Sequence, residues 1–456
     1  MTAYECFFNI MAICNGEEIM GILALIITVP LSCVMIYRVL YSGGLQLGAD
    51  NRILKHLTWK TKEYAGCRNV GIKKVIFVGL CAVLLRLFVY FISILITKLI
   101  YMGDESLLDL WNKWDANAYI GIASGGYARN TIDGVANMGD GVMNTLVFFP
   151  LYPVLAAAVK FITGNVQMAL LITSTLCFAA GCIVLYMAVS YRYGEGIASK
   201  AVILLASNPF AFYQGAMLPE STFILVCALC MYFTFKKKWL LAGIMGVFCA
   251  LARLQGVIII AFIGLEWLED KRVLELIKNK DWKAFRKSLI NLPAIFMPLI
   301  GVIIYIAVNY LYTGDAFYFM KLQKNVWAHS FTNIVKAVDG IWNYFVLANE
   351  RGGALRFTVW GPELILIFGI LFLMYFTLKK HSIGMTLYLL LYLIISFSSD
   401  YVISGTRYMS VAVVLFVLLA EISERRRVVF WSLVCGGSML QVIYMACYVS
   451  GWHLVT

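Results

Sequence analysis

Apolar residues run through this chain in long blocks with no alternation of period two, and short polar, mostly basic segments separate the blocks. The blocks fall at 19–41, 75–100, 168–190, 199–214, 219–235, 239–253, 255–268, 289–311, 356–378, 382–398, 404–421 and 428–450. A membrane-spanning helix needs roughly 17–25 mainly apolar residues, so several of these blocks are full spans and several are short. Their length and lack of alternation predict helices rather than strands. The expected fold class is all-α and polytopic, with about twelve transmembrane helices in one integral domain over residues 1–456. The first block, Ile19 to Tyr41, is too long for the core of a signal peptide and reads as a retained span.

Polar residues fix the expected topology. Segment 43–74 carries Arg52, Lys55, Lys60, Lys62, Arg68, Lys73 and Lys74, and segment 269–288 carries a second basic group that includes Lys271, Arg272 and Arg286. Lys236–Lys238, Lys379–Lys380 and Arg425–Arg427 mark three further basic turns. The excess of Lys and Arg assigns all five to the cytoplasm. Segment 101–145 is acid-rich, with Asp104, Glu105, Asp109, Asp115, Asp133 and Asp140, and is expected outside. The block Thr145 to Thr163 conflicts with this alternation. Counted as a span, it would put Lys236–Lys238 outside, and Pro150 and Pro153 interrupt its first half. It reads as a re-entrant or juxtamembrane segment, which makes residues 101–167 one long outer loop. Residues 312–355 form a second outer segment.

Composition agrees with the pattern. The chain has 456 residues, 62% hydrophobic and 14% charged, and a mean hydropathy of +0.83. These values exclude an ordinary soluble domain. The net charge of +12 lies mostly in the turns between spans, so topology rather than nucleic acid accounts for it. The twelve cysteines lie mainly in apolar runs; Cys227 and Cys230 form a C-x-x-C inside an expected helix, where packing is the simpler role. The four histidines show no metal-ligand spacing.

The candidate chemistry starts at Trp111–Tyr127, WNKWDANAYIGIASGGY, a polar and aromatic island in the first outer loop. Helical spacing would align Trp111, Trp114, Ala118, Tyr119 and Ile122 on one face. An interfacial aromatic belt explains the tryptophans. It does not explain Asp115, whose spacing is equally compatible with a helix cap, a pair with Lys113 or Arg129, and a catalytic acid. Glu220 begins an expected span in QGAMLPESTF, and Arg253 sits deep between two apolar runs in ALARLQG. A membrane-buried arginine is a functional candidate, with a structural pair to Glu220 as its alternative. Arg407 follows the polar turn SSDYVISG. The second outer segment adds Lys321, Gln323, Lys324, Trp327, His329, Arg351 and Arg356. Arginines suit a lipid phosphate, and a carboxylate suits removal of a proton from an attacking hydroxyl.

WDANAYIGIASGGY resembles the W-D-A-x-x-Y-x-x-I-A-x-x-G-Y motif of the PIG-V family of mannosyltransferases and its bacterial relatives, within the GT-C superfamily. FFPLYPVL (Phe148 to Leu155), NPFAFYQGAMLPESTF, ALARLQG, TGDAFYFMKLQKNVW and SGTRYM are similar to later segments of the same family, in order along the chain. Ala316 stands where the family usually has proline. The resemblance implies Asp115 as catalytic base, a polyprenyl-phosphate sugar donor (a mannose-like hexose) and inverting transfer on the extracytoplasmic face of the cell membrane. With it, Arg253 and Arg407 are expected to bind the donor phosphate, and Trp114, Tyr119, Glu220, Gln323 and Trp327 to orient the substrates. No cofactor is required. A divalent metal is not predicted, although Asp104, Asp109 and Asp115 are its candidate ligands. The acceptor hydroxyl belongs to a glycan, a lipid or a protein, a choice the sequence leaves open together with any partner subunit. The alternative class is a polytopic lipid or solute transporter or flippase without transferase activity, which would show a polar path to both faces and symmetric halves.

Overall fold

The computed structural model describes residues 19–45, 66, 67, 69–100, 102–127, 144–326, 329–347, 353–378 and 382–451. Helices dominate; among the described residues β-structure is confined to one isolated bridge between Phe331 and Ser399. In order, α1 is Ile19–Ser42, α2 Ile72–Ile100, α3 Leu107–Trp111, α4 Ala116–Gly125, α5 Leu151–Thr163, α6 Val166–Tyr193 and α7 Glu195–Ser207. Then come α8 Glu220–Phe235, α9 Trp239–Ala252, α10 Ile259–Lys271, α11 Val273–Lys278, α12 Trp282–Ser288, α13 Leu292–Phe296 and α14 Pro298–Thr313. The chain closes with α15 Tyr318–Val326, α16 Ile334–Leu347, α17 Gly361–Thr377, α18 Ile383–Phe397, α19 Gly405–Met409, α20 Val413–Ile422 and α21 Arg427–Val449.

Six of the apolar blocks become helical stretches long and apolar enough to cross a membrane: Met20–Ser42, Ile72–Ile100, Val166–Tyr193, Trp282–Thr313, Arg356–Thr377 and Arg427–Val449. The molecule is a multi-pass membrane protein. The remaining blocks are carried by the shorter helices α7, α8, α9, α10, α18 and α20. At 1.5 Å per residue, the 13 residues of α7 extend about 20 Å, less than a hydrocarbon core of about 30 Å. Short helices leave non-helical backbone within the bundle, which is tolerated only where protein satisfies its polar groups. Those interruptions build the site.

Charge separates along the helix axes. Lys74 and Glu195 pair where α2 and α7 begin. Arg192 at the end of α6 meets Glu266 of α10 at 2.6 Å, and Lys237 pairs with Asp270. Following α7 from this basic end leads to segment 208–219, at the opposite end, where Glu220 starts the return helix α8.

Two sequence-level expectations meet the structure differently. Most of the block 145–163 is the short helix α5, whose 13 residues bury Tyr152, Pro153 and Ala156 while Phe161 and Ile162 stay exposed. The continuous helical stripe over 111–122 is broken. α3 stops at Trp111, and α4 starts only at Ala116. Between them Trp114 takes φ 53°, a left-handed conformation that costs a bulky residue on the order of 1–3 kcal/mol. Trp111 is no belt residue: it is fully buried and its Nε1 donates to Ser93 Oγ at 3.0 Å. With Tyr119, Tyr152, Phe212 and Tyr448 it forms an apolar cluster separate from the main core. α21 closes against α7 at Gly437, where an added Cβ would lie 2.3 Å from Ser207 O; small residues permit such close helix approach.

Candidate active site

Three interruptions converge at the end opposite the basic turns. The first is 208–219, where Pro209 and Pro219 exclude regular helix and a 3₁₀ turn spans Ala211–Gly215. Side chains from α2, α6 and α8 satisfy its carbonyls. Arg86 Nη1 donates to Ala211 O at 2.8 Å, Tyr90 Oη to Gly215 O at 2.7 Å, and Ser174 Oγ to Ala216 O at 2.8 Å. Ser221 Oγ donates to Gln214 O. The second is Arg253, which leaves α9 in an extended conformation before the 3₁₀ turn Leu254–Ile258. Gly256 is required there, because a Cβ would sit 1.9 Å from Cys249 O. Gly256→Ala is expected to displace this turn and cost about 1–3 kcal/mol, read as a lower thermal midpoint of the purified protein. The third is α19, which carries Arg407 and whose first N–H, on Gly405, donates to Glu363 Oε1 at 2.9 Å.

The convergence produces a four-residue ion chain. Glu220 Oε1 accepts from Arg253 Nη1 at 2.9 Å and from Arg407 Nε at 2.6 Å. Arg407 Nη1 donates to Asp115 Oδ2 at 2.7 Å. Two acids thus balance two bases. Buried ions need such pairing because desolvation is costly. The side chains of Glu220, Arg253 and Arg407 are at most 7% exposed, whereas that of Asp115 is 30% exposed. Asp115 is therefore the most exposed member of the chain. Aromatic rings border the cations: Tyr408 lies 4.9 Å from the Arg253 guanidinium carbon, and Tyr213 5.6 Å from that of Arg407.

Two of the competing structural roles of Asp115, the helix cap and the pair with Lys113, find no support. It precedes α4, but its side chain makes no cap hydrogen bond, and Lys113 instead faces Glu105 at 3.5 Å. Arg129 lies outside the described residues, as do Arg351 and Trp327. Arg253 does pair with Glu220. Tyr119 is buried edge-on against Phe148 and Tyr152, at 5.2 and 5.3 Å. Trp114 is half-buried beside Asp115. Gln323 is half-buried in α15, and its carbonyl accepts the His329 N–H at 2.9 Å.

The second outer segment docks where α18 ends. Thr332 N–H donates to Ser398 O at 3.2 Å and Asp400 N–H to Ser330 O at 3.0 Å. His329 Nδ1 contacts Ser399 Oγ at 3.1 Å. Burial lowers the His329 pKa from its ordinary 6.5, against an opposing influence of Asp115. Other members of this segment serve the fold. Lys321 pairs with Asp315 at 2.7 Å, and this partner holds the exposed Asp315 carboxyl below its usual range. Arg356 caps the carbonyls of Phe345 and Val346 at 2.8 Å each. In the TGDAF segment, Gly314 ends α14 at φ 72°, and Asp315 Oδ1 accepts the Phe317 N–H at 2.9 Å.

The candidate metal ligands Asp104, Asp109 and Asp115 have separate partners. Asp109 accepts from Ser106 Oγ at 2.6 Å at the start of α3, and Asp104 faces Lys98 at 4.0 Å. Among the described residues, no group of three or more His, Cys, Asp or Glu side chains is placed to hold an ion. Cys227 and Cys230 are buried between α8 and α9; Cys227 Sγ lies 3.8 Å from Cys249 Sγ, and Cys230 donates to Ala242 O. Glu363, Tyr213 and Tyr448 border the site without having been singled out from the sequence. Only Glu363 carried a readable signal, as a lone acid entering an apolar run.

No family model matches the chain, and no curated protein does. Among solved structures, the chain is similar to the crystal structure of ArnT from Cupriavidus metallidurans bound to undecaprenyl phosphate. The TM-score is 0.45 at 12% identity, over 82% of this chain and 76% of that one. At that level the likeness assigns neither a family nor a substrate.

Proposed function

We propose that this protein is an integral-membrane glycosyltransferase of GT-C type. It moves a hexose, mannose in the first instance, from a polyprenyl-phosphate donor to a hydroxyl acceptor on the extracytoplasmic face. The carrying observation is Asp115: a half-exposed carboxylate tied to a nearly buried arginine, at the end of the bundle away from its basic turns. Basic turns face the cytoplasm, which favours an outward-facing site.

Oδ2 of Asp115 is held by Arg407, and Oδ1 is available to take the acceptor's proton. The acceptor oxygen then bonds to the anomeric carbon as the bond from that carbon to the phosphate oxygen breaks, with inversion. The polyprenyl phosphate leaves with the bonding pair. Once Asp115 holds the proton, the four-residue chain carries one net positive charge, and Arg407, with Arg253 behind Glu220, offsets the charge on the departing phosphate. Trp114, Tyr119, Glu220, Gln323 and Trp327 orient the sugar and the acceptor. The reaction is balanced without a metal or cofactor. The W-D pair at Trp114–Asp115, with its similarity to the PIG-V motif, supports this reading. The four charges gather at one end rather than along a path between faces, which argues against a transporter.

The test is to supply polyprenyl-phosphate mannose, glucose and galactose to the purified protein with hydroxyl acceptors, and to identify products by mass spectrometry. A glycosylated product with release of polyprenyl phosphate is expected. No transfer from any of these donors, together with donor-independent movement of lipid across vesicles, would replace the enzyme with the flippase.

A further inference from the structure

The ion chain is electrically balanced, yet polar atoms around it are unmatched. Tyr213 Oη, Tyr448 Oη and Glu220 Oε2 are buried and have no hydrogen-bond partner among the described residues. Tyr213 comes from the 3₁₀ turn Ala211–Gly215 and Tyr448 from the last turn of α21; their rings meet edge to face at 5.6 Å. Tyr213 also borders the Arg407 guanidinium. Both phenols lie within electrostatic range of Arg407, Asp115 and Glu220.

Packing alone does not account for the unmatched phenols. Four other buried phenols of this fold meet carbonyls: Tyr90 to Gly215 at 2.7 Å, Tyr127 to Phe148 at 2.6 Å, Tyr152 to Leu170 at 3.0 Å and Tyr305 to Leu146 at 2.7 Å. Leaving a buried hydroxyl unpaired is unfavourable, and here two such groups flank one ion chain. Their chemistry indicates what would complete them. A phosphate is matched by cations, and the two arginines supply those. Two neutral hydroxyls and one spare carboxylate oxygen instead match a neutral ligand that both donates and accepts hydrogen bonds.

We propose that Tyr213 and Tyr448 form the subsite for the transferred sugar, hydrogen-bonding its ring hydroxyls while Glu220 Oε2 accepts from one of them. The proposal rests on the glycosyltransferase reading and adds to it the residues that recognise the hexose. Specificity of this kind is strong, because a sugar that lacks the matching hydroxyl leaves the phenols unpaired.

Tyr213→Phe and Tyr448→Phe test it, since each removes one oxygen and keeps the ring. Affinity is measured for the polyprenyl-phosphate hexose that wild type binds best and for polyprenyl phosphate without sugar, together with the ligand-free melting temperature. Each variant is expected to weaken the sugar donor on the order of tenfold. Affinity for polyprenyl phosphate stays unchanged, and the ligand-free melting temperature stays level or rises. Unchanged sugar-donor affinity would overturn the proposal. So would an equal loss for polyprenyl phosphate, which would make the phenols phosphate ligands, or a lower ligand-free melting temperature with donor binding intact, which would make them structural. If wild type binds no sugar donor more tightly than polyprenyl phosphate, the sugar subsite is overturned while a lipid-phosphate site survives. If wild type binds neither, the glycosyltransferase reading fails and this proposal with it.

Discussion

Asp115→Asn is expected to lower the rate of sugar transfer by roughly 10²–10⁴-fold, the usual contribution of a positioned general base, while donor affinity changes little. The amide cannot take the acceptor's proton. Its oxygen can still accept from Arg407 Nη1, the 2.7 Å contact of the native side chain, so the ion chain and the turn at 112–115 stay assembled. Single-turnover measurement with a saturating polyprenyl-phosphate hexose isolates the chemical step, and a thermal melt of the same preparation reports whether the fold survives. Transfer at the wild-type rate by a well-folded variant would remove Asp115 from the mechanism. Loss of donor binding with an unaltered chemical step would make it a binding residue instead.

Glu220→Ala should be the most destabilising substitution at the site. One oxygen of this fully buried carboxylate accepts from both Arg253 and Arg407. Its removal leaves Arg253 with no acid partner and Arg407 with only the half-exposed Asp115. Breaking a buried ion pair in this way costs about 3–5 kcal/mol. Glu220→Gln keeps an acceptor oxygen in place but loses the charge, and should fall between Ala and wild type. The order wild type, Gln, Ala in thermal midpoint, or in resistance to denaturant in detergent, is the expected result. An alanine variant melting within a degree of wild type would show that solvent or lipid headgroups already screen these arginines.

Much of the architecture was legible because the membrane imposes simple rules. Long apolar blocks had to be helices, since lipid offers the backbone no partners. The clusters of Lys and Arg marked one end. The conflict at Thr145–Thr163 marked a segment that broke the alternation of charge, and most of it is the short helix α5. Other features were hidden by local pattern. The stripe from Trp111 to Ile122 has good helical spacing, yet the chain breaks at 112–115. Burying Trp111 against Ser93 and reaching Arg407 with Asp115 outweigh the propensity of a few residues. Short apolar blocks such as 199–214 read as spans, but α7 ends at Ser207 and side chains from α2, α6 and α8 take up the carbonyls that follow.

The candidate site divides along the same line. Composition and periodicity, read along the chain, sufficed for a polytopic helical protein, for its basic end, and for Arg253 as a polar residue too costly to place in a membrane without purpose; Glu220 and Arg407 stood only as charges at the outer ends of spans, and Asp115 was singled out by the resemblance of its motif. Periodicity reports only neighbours within a few residues, and membrane hydropathy reports only the cost of burial. Neither names the partner that offsets it. Asp115 and Arg407 are 292 residues apart, and which acid neutralises which arginine depended on where the short helices stop. Tertiary structure alone decided that Glu220 serves both arginines, that Asp115 is the exposed member of the chain, that Asp104 and Asp109 lie elsewhere, and that two phenols stand unmatched beside the charges.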